Sequence, residues 1–253
     1  MHKIRGKFTE GIVWNTYEFD IEYYPLPTDK HYSEEAYLAF EKNSTEKHEY
    51  KQGKISVVPV DSHKHDAIVS NVSETLKSIL KTKELNYEVL DDNTKIYIDS
   101  ADAYVYSDGF VVCGEMKYHR DEQDGIINPA LIIEVLSENS VNYDRGAKFR
   151  KYCALPSFKE YVLITQNEPV VEVLIRDIDC WKMTTTIGLD KSVRLNSLDI
   201  EIPLSLIYKN IYNLPASSLN KNFKHALKYY PTWLHLLQAL LHFAFIILHF
   251  QNI

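Results

Sequence analysis

A glutamate lies in the middle of an apolar run, and this feature constrains the fold most. The run is "ALIIEVL" (residues 130–136), and Glu134 is its only charged residue. Uninterrupted apolar runs of this length are typical of strands that are buried on both faces of a sheet. Burying an ionised carboxylate is costly unless a cation or hydrogen-bond donors compensate its charge. The fold must therefore supply a partner for Glu134 at the centre of a sheet.

The segments around this run alternate between helical and strand patterns. Ser33 is a candidate cap of a first helix, which carries Tyr37, Leu38 and Phe40 on its inner side. A hairpin is predicted around Gln52 and Gly53. Two further helices are predicted at residues 63–84 and 141–155. Strands are predicted at residues 87–90, 95–98, 103–108, 110–114, 130–137, 159–165, 170–177 and 181–187. This succession predicts an α/β (α+β) domain over residues 33–212.

The two ends of the chain lie outside that domain. Residues 1–32 are aromatic and broken by prolines, which predicts an N-terminal arm or an extra strand. Residues 213–253 are predicted to form a linker and a hydrophobic C-terminal helix. The pattern leaves open whether this helix packs on the domain, packs on a second copy in a homodimer, contacts a membrane through residues 231–250, or is a non-native extension.

Composition excludes several classes of protein. The formal net charge of −7 excludes the globally basic surface that holds many proteins on nucleic acid. Three separated cysteines without a C-x-x-C pair argue against a disulfide framework and a zinc knuckle. The N-terminus carries charges where a signal peptide needs an apolar core. We therefore predict a cytoplasmic protein, with membrane association through the C-terminal helix as the less favoured alternative.

A second carboxylate lies close to Glu134 in the predicted sheet. Asp108 closes the strand "AYVYSD", next to the strand that carries Glu134. Two neighbouring carboxylates repel each other unless a cation lies between them, and hard oxygen ligands suit Mg²⁺ or Mn²⁺. The carbonyl of Val135 is a candidate further ligand. In the alternative, which the residues support equally, Glu134 only pairs with Lys148 or Arg150 inside the fold.

Five segments together resemble the Uma-two family of restriction-endonuclease-like proteins, in the PD-(D/E)XK nuclease superfamily. They are "EYKQGKI", His65 near the start of a long helix, "YSDGFVV", "NPALIIEVLSENS" and "YDRGAKFRKYCALPSFKEYVLI". The resemblance implies a restriction-endonuclease-like mixed central sheet flanked by helices, with a metal site at one end. It also implies DNA as substrate, hydrolysis of its phosphodiester bonds, and magnesium or manganese as cofactor. Asp108 matches the first acid of the motif and Glu134 the second, both as metal ligands.

The chain departs from the superfamily pattern at two positions. Ser107 replaces the proline before Asp108, which removes no ligand atom. Leu136 replaces the lysine expected two residues after Glu134. The resemblance implies that the catalytic lysine has moved to the following helix, where Lys148 matches.

Other matched residues keep two interpretations. For Lys148 the alternative is an exposed ion pair with Asp144 on the same helix. Glu49 matches a family glutamate that reaches the metal directly or through water, and its alternative is a solvated hairpin carboxylate. His65 matches a family histidine that contacts the phosphate or caps its helix. Arg145 and Lys151 are predicted to present basic groups to a phosphate.

Two functions from different classes remain open at this stage. The first is a metal-dependent DNA endonuclease that uses Asp108, Glu134, Lys148 and Glu49. The second is a catalytically inactive nuclease-fold module that binds nucleic acid or protein, tethered in one version by its C-terminal helix. The charged loop "RDEQD" (residues 120–124) is interpreted as a solvated turn.

Overall fold

The structure is a computed structural model that describes residues 31–83, 86–120, 124–138 and 140–214. The predicted N-terminal arm and C-terminal hydrophobic helix lie almost wholly outside these residues, so both stay predictions. Within the described ranges, no helix is long and apolar enough to span a membrane.

The order of elements follows the alternation predicted from the sequence. The helical segments described are α1 (Glu34–Asn43), α2 (His63–Thr82), α3 (Val141–Tyr143), a π-helical segment (Asp144–Lys148), α4 (Phe149–Tyr152) and α5 (Leu204–Ile207). The strands described are β1 (His48–Lys51), β2 (Lys54–Val57), β3 (Tyr87–Asp91), β4 (Lys95–Ile98), β5 (Ala103–Tyr106), β6 (Gly109–Cys113), β7 (Leu131–Leu136), β8 (Glu160–Thr165), β9 (Val170–Arg176), β10 (Trp181–Ile187), β11 (Ser192–Leu195) and β12 (Ile200–Pro203).

The glutamate-bearing strand β7 lies inside a mixed six-stranded sheet. The strand order is β10-β9-β8-β7-β6-β3. Strands β7 and β8 run parallel, whereas β6 and β7 run antiparallel. Every residue of β7 is buried. The predicted mixed central sheet is therefore confirmed, and Glu134 lies at its centre.

The two faces of β7 contact different helices, because side chains alternate along a strand. Leu131, Ile133 and Val135 belong to the core that includes the apolar stripe of α2. Ile132 and Leu136 belong to the opposite core, with aromatic residues of α4 and β8. Glu134 shares the parity of this second face, so its side chain points toward the helical segment of residues 141–152.

A second sheet brings the other acidic residues toward β7. Its order is β2-β1-β5-β4. Strand β5 of this sheet ends at Tyr106, and β6 of the six-stranded sheet begins at Gly109. Ser107 and Asp108 are therefore the link between the two sheets. This short link holds Asp108 beside the end of β7.

Helix α1 shows one error in the predicted core. Ser33 caps the helix as predicted, since its side chain accepts a hydrogen bond from the Ala36 N–H. Phe40, predicted to face inward, is 44% exposed. Tyr37 is fully buried, and the residue that faces inward one turn later is Glu41. The prediction was wrong because phenylalanine is more hydrophobic than glutamate, so hydropathy favours Phe40 over Glu41 as the buried residue. One of the partners that compensate the charge of Glu41, Tyr106, lies 65 residues away in sequence.

Hydrogen bonds to Glu41 join α1 to strands β1 and β5. Its Oε2 lies 3.0 Å from Nδ1 of His48, and its Oε1 accepts from the His48 N–H at 2.9 Å and the Tyr106 O–H at 2.8 Å. Burial acts to raise the pKa of Glu41, but these hydrogen bonds outweigh it and lower that pKa. The ionised carboxylate therefore stabilises the packing of α1 on β1 and β5.

Glu41→Gln is expected to lower the free energy of unfolding by about 1–3 kcal/mol at pH 7. A lowered folded-state pKa contributes stability above the unfolded value of about 4.3, and this stability is lost as the pH falls through the folded value. The difference between wild type and variant should therefore shrink below about pH 4. Urea unfolding from pH 7 to pH 3 measures it, with the exposed Glu46→Gln as control. A difference that stays constant across this range would contradict the lowered pKa.

The loop before β7 carries a second correction. Arg120, interpreted as part of a solvated turn, forms a bidentate ion pair with Glu34. Its Nε lies 3.0 Å from Oε1 and its Nη2 lies 2.7 Å from Oε2. The same Nη2 lies 2.8 Å from Oε1 of Glu35. Arg120 therefore joins this loop to the first turn of α1, while residues 121–123 lie outside the described ranges.

Candidate functional site

The partner that Glu134 requires is a lysine of the helical segment above it. Glu134 is 1% exposed. Its Oε2 accepts a hydrogen bond from Nζ of Lys148 at 2.9 Å, and its Oε1 accepts one from the Tyr152 O–H at 3.0 Å. Arg150, the other candidate partner, is exposed. Of the two predicted partners, the structure selects Lys148.

The π-helical segment between α3 and α4 carries this lysine inward. Asp144 and Lys148, at its two ends, are both buried, and Nζ of Lys148 lies 3.5 Å from Oδ1 of Asp144. The exposed ion pair considered for these residues is therefore wrong, because the pair faces the sheet. An ordinary helix was predicted here. Single-turn π segments are rare and are often found at functional sites.

Negative charge exceeds positive charge around Lys148. Burial raises the pKa of Glu134, and Asp144 and Asp108 add to that rise against the opposing effect of Lys148. Burial acts to lower the pKa of Lys148, but Glu134, Tyr152 and Asp144 outweigh it and raise that pKa well above its usual range. The shift of Glu134 is therefore due first to burial, and the shift of Lys148 to the acidic groups around its ammonium. A cluster of this kind favours a further cation.

Asp108 reaches β7 from the link between the sheets. Its Oδ2 accepts the Val135 N–H at 2.6 Å and lies 3.1 Å from Nε2 of His65. The Leu136 carbonyl accepts from the Gln166 N–H on the β8 side. Because successive residues of a strand direct their peptide groups to opposite edges, the carbonyl of Val135 faces the same edge as Asp108. Asp108 and the carbonyl of Val135 therefore lie at the same edge of β7.

Glu49 is a buried residue and the interpretation as a solvated hairpin carboxylate is wrong. It lies on β1 and accepts hydrogen bonds from the Tyr143 O–H at 2.6 Å and the Tyr106 N–H at 3.3 Å. The Nζ of Lys151 lies 3.7 Å from its Oε2. Glu49 also contributes to the raised pKa of Lys148. The second sheet therefore brings this carboxylate toward the same cluster.

Two basic residues predicted to face a phosphate have protein partners. The side chain of Lys151 is 13% exposed, and its Nζ donates to the Tyr143 hydroxyl at 2.7 Å. Burial lowers the pKa of Lys151. Arg145 contacts Glu172 of β9. Lys151 is therefore largely buried, whereas Arg145 is exposed and paired, and contact of either side chain with a phosphate stays a prediction.

His65 contacts Asp108 and is not the helix cap. Ser62 takes that role, since its side chain accepts the His65 N–H at 3.2 Å. The imidazole also lies near Asp61, with Nε2 at 3.7 Å from Oδ2. Burial acts to lower the pKa of His65, but Asp108 and Asp61 outweigh it and raise that pKa to about 9.

Sequence reasoning missed Asp61. It lies in the loop before α2, in the stretch "PVDSH", and no helix or strand pattern places it near the sheet. The only signal was its position four residues before His65, across a helix start. Donor atoms of Asp61, His65 and Asp108 all lie within 4.8 Å of one another.

Comparison with known proteins assigns the family. The family model for Uma2, described as "Putative restriction endonuclease", matches residues 34–205. This chain belongs to the Uma2 family. Two uncharacterized proteins of Synechocystis sp. are similar to it. The first, sll1609, is 33% identical over 165 residues, covering 65% of this chain and 92% of that protein. The second, slr1290, is 27% identical over 179 residues, covering 71% and 92%.

The Uma2 fold is also seen in a crystal structure. That protein, from Anabaena variabilis, is described as "a putative nuclease belonging to DUF820". It superposes with a TM-score of 0.54 at 19% identity and covers 69% of this chain and 96% of its own. The restriction-endonuclease-like fold predicted for this Uma2 chain is therefore confirmed. The individual roles of its site residues stay predictions.

The residues of this Uma2 site fit the divalent metal that the family implies. Asp108, Glu134 and the Val135 carbonyl offer hard oxygen donors, which Mg²⁺ and Mn²⁺ prefer. Each carboxylate oxygen of Glu134 keeps a lone pair for a metal ion. A carboxylate accepts about four hydrogen bonds, and this one accepts two from the described residues. The excess of negative charge around Lys148 favours a cation at this place.

Proposed function

We propose that this Uma2 protein is a metal-dependent endonuclease that hydrolyses DNA phosphodiester bonds. The observation that carries the proposal is the contact between Lys148 and Glu134, in a buried cluster rich in carboxylates beside Asp108. Groups whose pKa values are strongly shifted by burial and by specific charged neighbours are typical of active sites. The descriptions of the Uma2 family and of the Anabaena protein support the nuclease class.

Asp108 and Glu134, with the Val135 carbonyl, are the residues that would hold Mg²⁺ or Mn²⁺. When bound, such an ion polarises a phosphoryl oxygen and lowers the pKa of water near it. Asp108 is fixed by the Val135 N–H, and Glu134 is fixed by the Tyr152 hydroxyl. Both acids are therefore held in place before an ion or substrate arrives.

Lys148 supplies the positive charge of the reaction. Its raised pKa keeps the ammonium protonated at neutral pH. An ammonium is a compact point charge that stabilises the negative charge developing on a phosphate under attack by water. Asp144 also contacts the lysine, with its Oδ1 3.5 Å from Nζ. Glu49, which accepts a hydrogen bond from the Tyr143 hydroxyl, would orient the attacking water.

A cleavage assay on supercoiled plasmid, single-stranded DNA and RNA tests the proposal directly. We expect DNA cleavage with Mg²⁺ or Mn²⁺ and none with EDTA. Lys148→Met should fail to cleave under the same conditions, which excludes a contaminating nuclease. Intact DNA with either metal, for folded wild-type protein, would favour the binding module that keeps the fold without the chemistry.

A further inference from the structure

A second group of metal-binding atoms includes Asp108 but not Glu134. It consists of Asp61, before α2, His65, in the first turn of α2, and Asp108 itself. Nε2 of His65 lies 3.1 Å from Oδ2 of Asp108 and 3.7 Å from Oδ2 of Asp61. Two chain segments, residues 61–65 and the link that carries Asp108, therefore bring ligand atoms together.

The spacing of these atoms matches a single ion. Ligand atoms lie about 2.0–2.2 Å from Zn²⁺ or a similar ion, so the donors of one ion are separated by about 3 to 4.2 Å. Both contacts of Nε2 fall within that range. The side chain of Asp61 is 32% exposed, so it is free to adjust its position.

The imidazole of His65 is buried, with its Nε2 toward Asp61 and Asp108. His65 is 4% exposed, and its Nδ1 has no hydrogen-bond partner among the described residues. The nearest charged atom, Oδ1 of Asp66, is 3.5 Å away, too far for a good hydrogen bond. An unpaired buried nitrogen costs about 1–3 kcal/mol.

Neither neutral tautomer suits these surroundings. With the proton on Nε2, the bare Nδ1 faces a carboxylate. With the proton on Nδ1, the bare Nε2 faces the carboxylates of Asp61 and Asp108. The doubly protonated imidazolium satisfies both sides without a metal. A cation bound at Nε2 does the same, because Nδ1–H then points toward Asp66, as metal-binding histidines usually point their other nitrogen to an acceptor.

We propose that Asp61, His65 and Asp108 form a second divalent-cation site, which shares Asp108 with the first and prefers Mn²⁺ or Zn²⁺ to Mg²⁺. The preference follows from the imidazole nitrogen, a ligand that suits transition metals and not Mg²⁺. This inference rests on the proposed function only because it assumes the first metal site, at Glu134. Two ions that share a carboxylate can stabilise both the attacking and the leaving oxygen of a phosphodiester.

Manganese binding to the full-length protein tests the second site without measuring cleavage. Calorimetry should count two Mn²⁺ per wild-type chain and one in Asp61→Asn, in His65→Gln and in Glu134→Gln. The double variant Asp61→Asn with Glu134→Gln should bind neither ion tightly. The exposed Glu74→Gln on α2 is the control and should still bind two. Circular dichroism confirms that each variant is folded.

Pulsed electron paramagnetic resonance of bound Mn²⁺ gives the second readout. The ion that remains in Glu134→Gln should show coupling to the imidazole nitrogen, and the ion that remains in Asp61→Asn should not. A single Mn²⁺ per wild-type chain, unchanged in Asp61→Asn, overturns the second site and leaves the proposed function standing. Failure of every form to bind Mn²⁺ or Mg²⁺ overturns the proposed function as well.

Discussion

Lys148→Met is expected to reduce the single-turnover rate of DNA cleavage by about 100-fold or more, the typical effect of losing one preorganised transition-state donor. The ammonium of Lys148 is the positive charge that contacts Glu134. Leu136, at the position where the superfamily pattern has its lysine, cannot replace it. The loss should appear in the rate of the chemical step and much less in DNA affinity, because the charge acts mainly on the transition state.

The same substitution also changes the stability of the site. Removing one partner of a buried ion pair typically costs about 3–5 kcal/mol, because the other charge stays buried. Glu134 can reduce this cost by taking up a proton, since burial already raises its pKa. Methionine keeps the length of the side chain, and the Tyr152 hydroxyl still donates to Glu134. Cleavage should therefore be measured well below the melting temperature of the variant.

The control for Lys148 must be an exposed cation on the same helical segment. Lys151 does not qualify, because its ammonium is bound to Tyr143 and lies close to Glu49. Arg150 is exposed, and Arg150→Met should leave the single-turnover rate within about twofold of wild type, as expected for a surface change. Equal rates for wild type and Lys148→Met would leave Lys148 a structural partner of Glu134 and Asp144.

The sequence predicts the part of the site that local patterns encode. A six-residue apolar strand with one acid is visible in the sequence, and the acid needs a partner whatever the fold. Helical spacing also narrows the choice between Lys148 and Arg150, because two residues along a helix is about 200° around its axis, so both cannot face the sheet. Choosing between them requires the packing of the helix on β7.

Burial of polar residues is the part that the sequence does not predict. Glu41 and Glu49 read as surface residues because each lies in a polar stretch. The Tyr106 hydroxyl that binds Glu41 is 65 residues away, and the Tyr143 hydroxyl that binds Glu49 is 94 residues away. Such contacts depend on how the two sheets meet. The π-helical segment is unpredictable for a similar reason, since its residues are compatible with an ordinary helix.

Asp108→Asn is expected to weaken Mn²⁺ and Mg²⁺ binding by about 100-fold or more and to abolish cleavage. Substitutions that only disturb the surroundings of a metal ligand cost about 10–100-fold in affinity, so loss of the ligand's charge should cost at least the upper value. The fold should be retained, because the asparagine oxygen can still accept the Val135 N–H that now binds Oδ2 at 2.6 Å. Removing this charge also relieves repulsion with Glu134 and Asp144.

Glu134→Ala should behave differently from Asp108→Asn, although both remove a predicted metal ligand. Alanine leaves the Lys148 ammonium buried beside a cavity, so the free energy of unfolding should fall by about 3–5 kcal/mol. Asp108→Asn should lower it by less, because the asparagine oxygen can still accept the Val135 N–H and only the contact with His65 is weakened. Urea unfolding in EDTA separates these effects from metal binding, and calorimetry then measures affinity on folded protein. Unchanged affinity for both metals in Asp108→Asn would remove Asp108 from the metal site, and the proposed mechanism would fail with it.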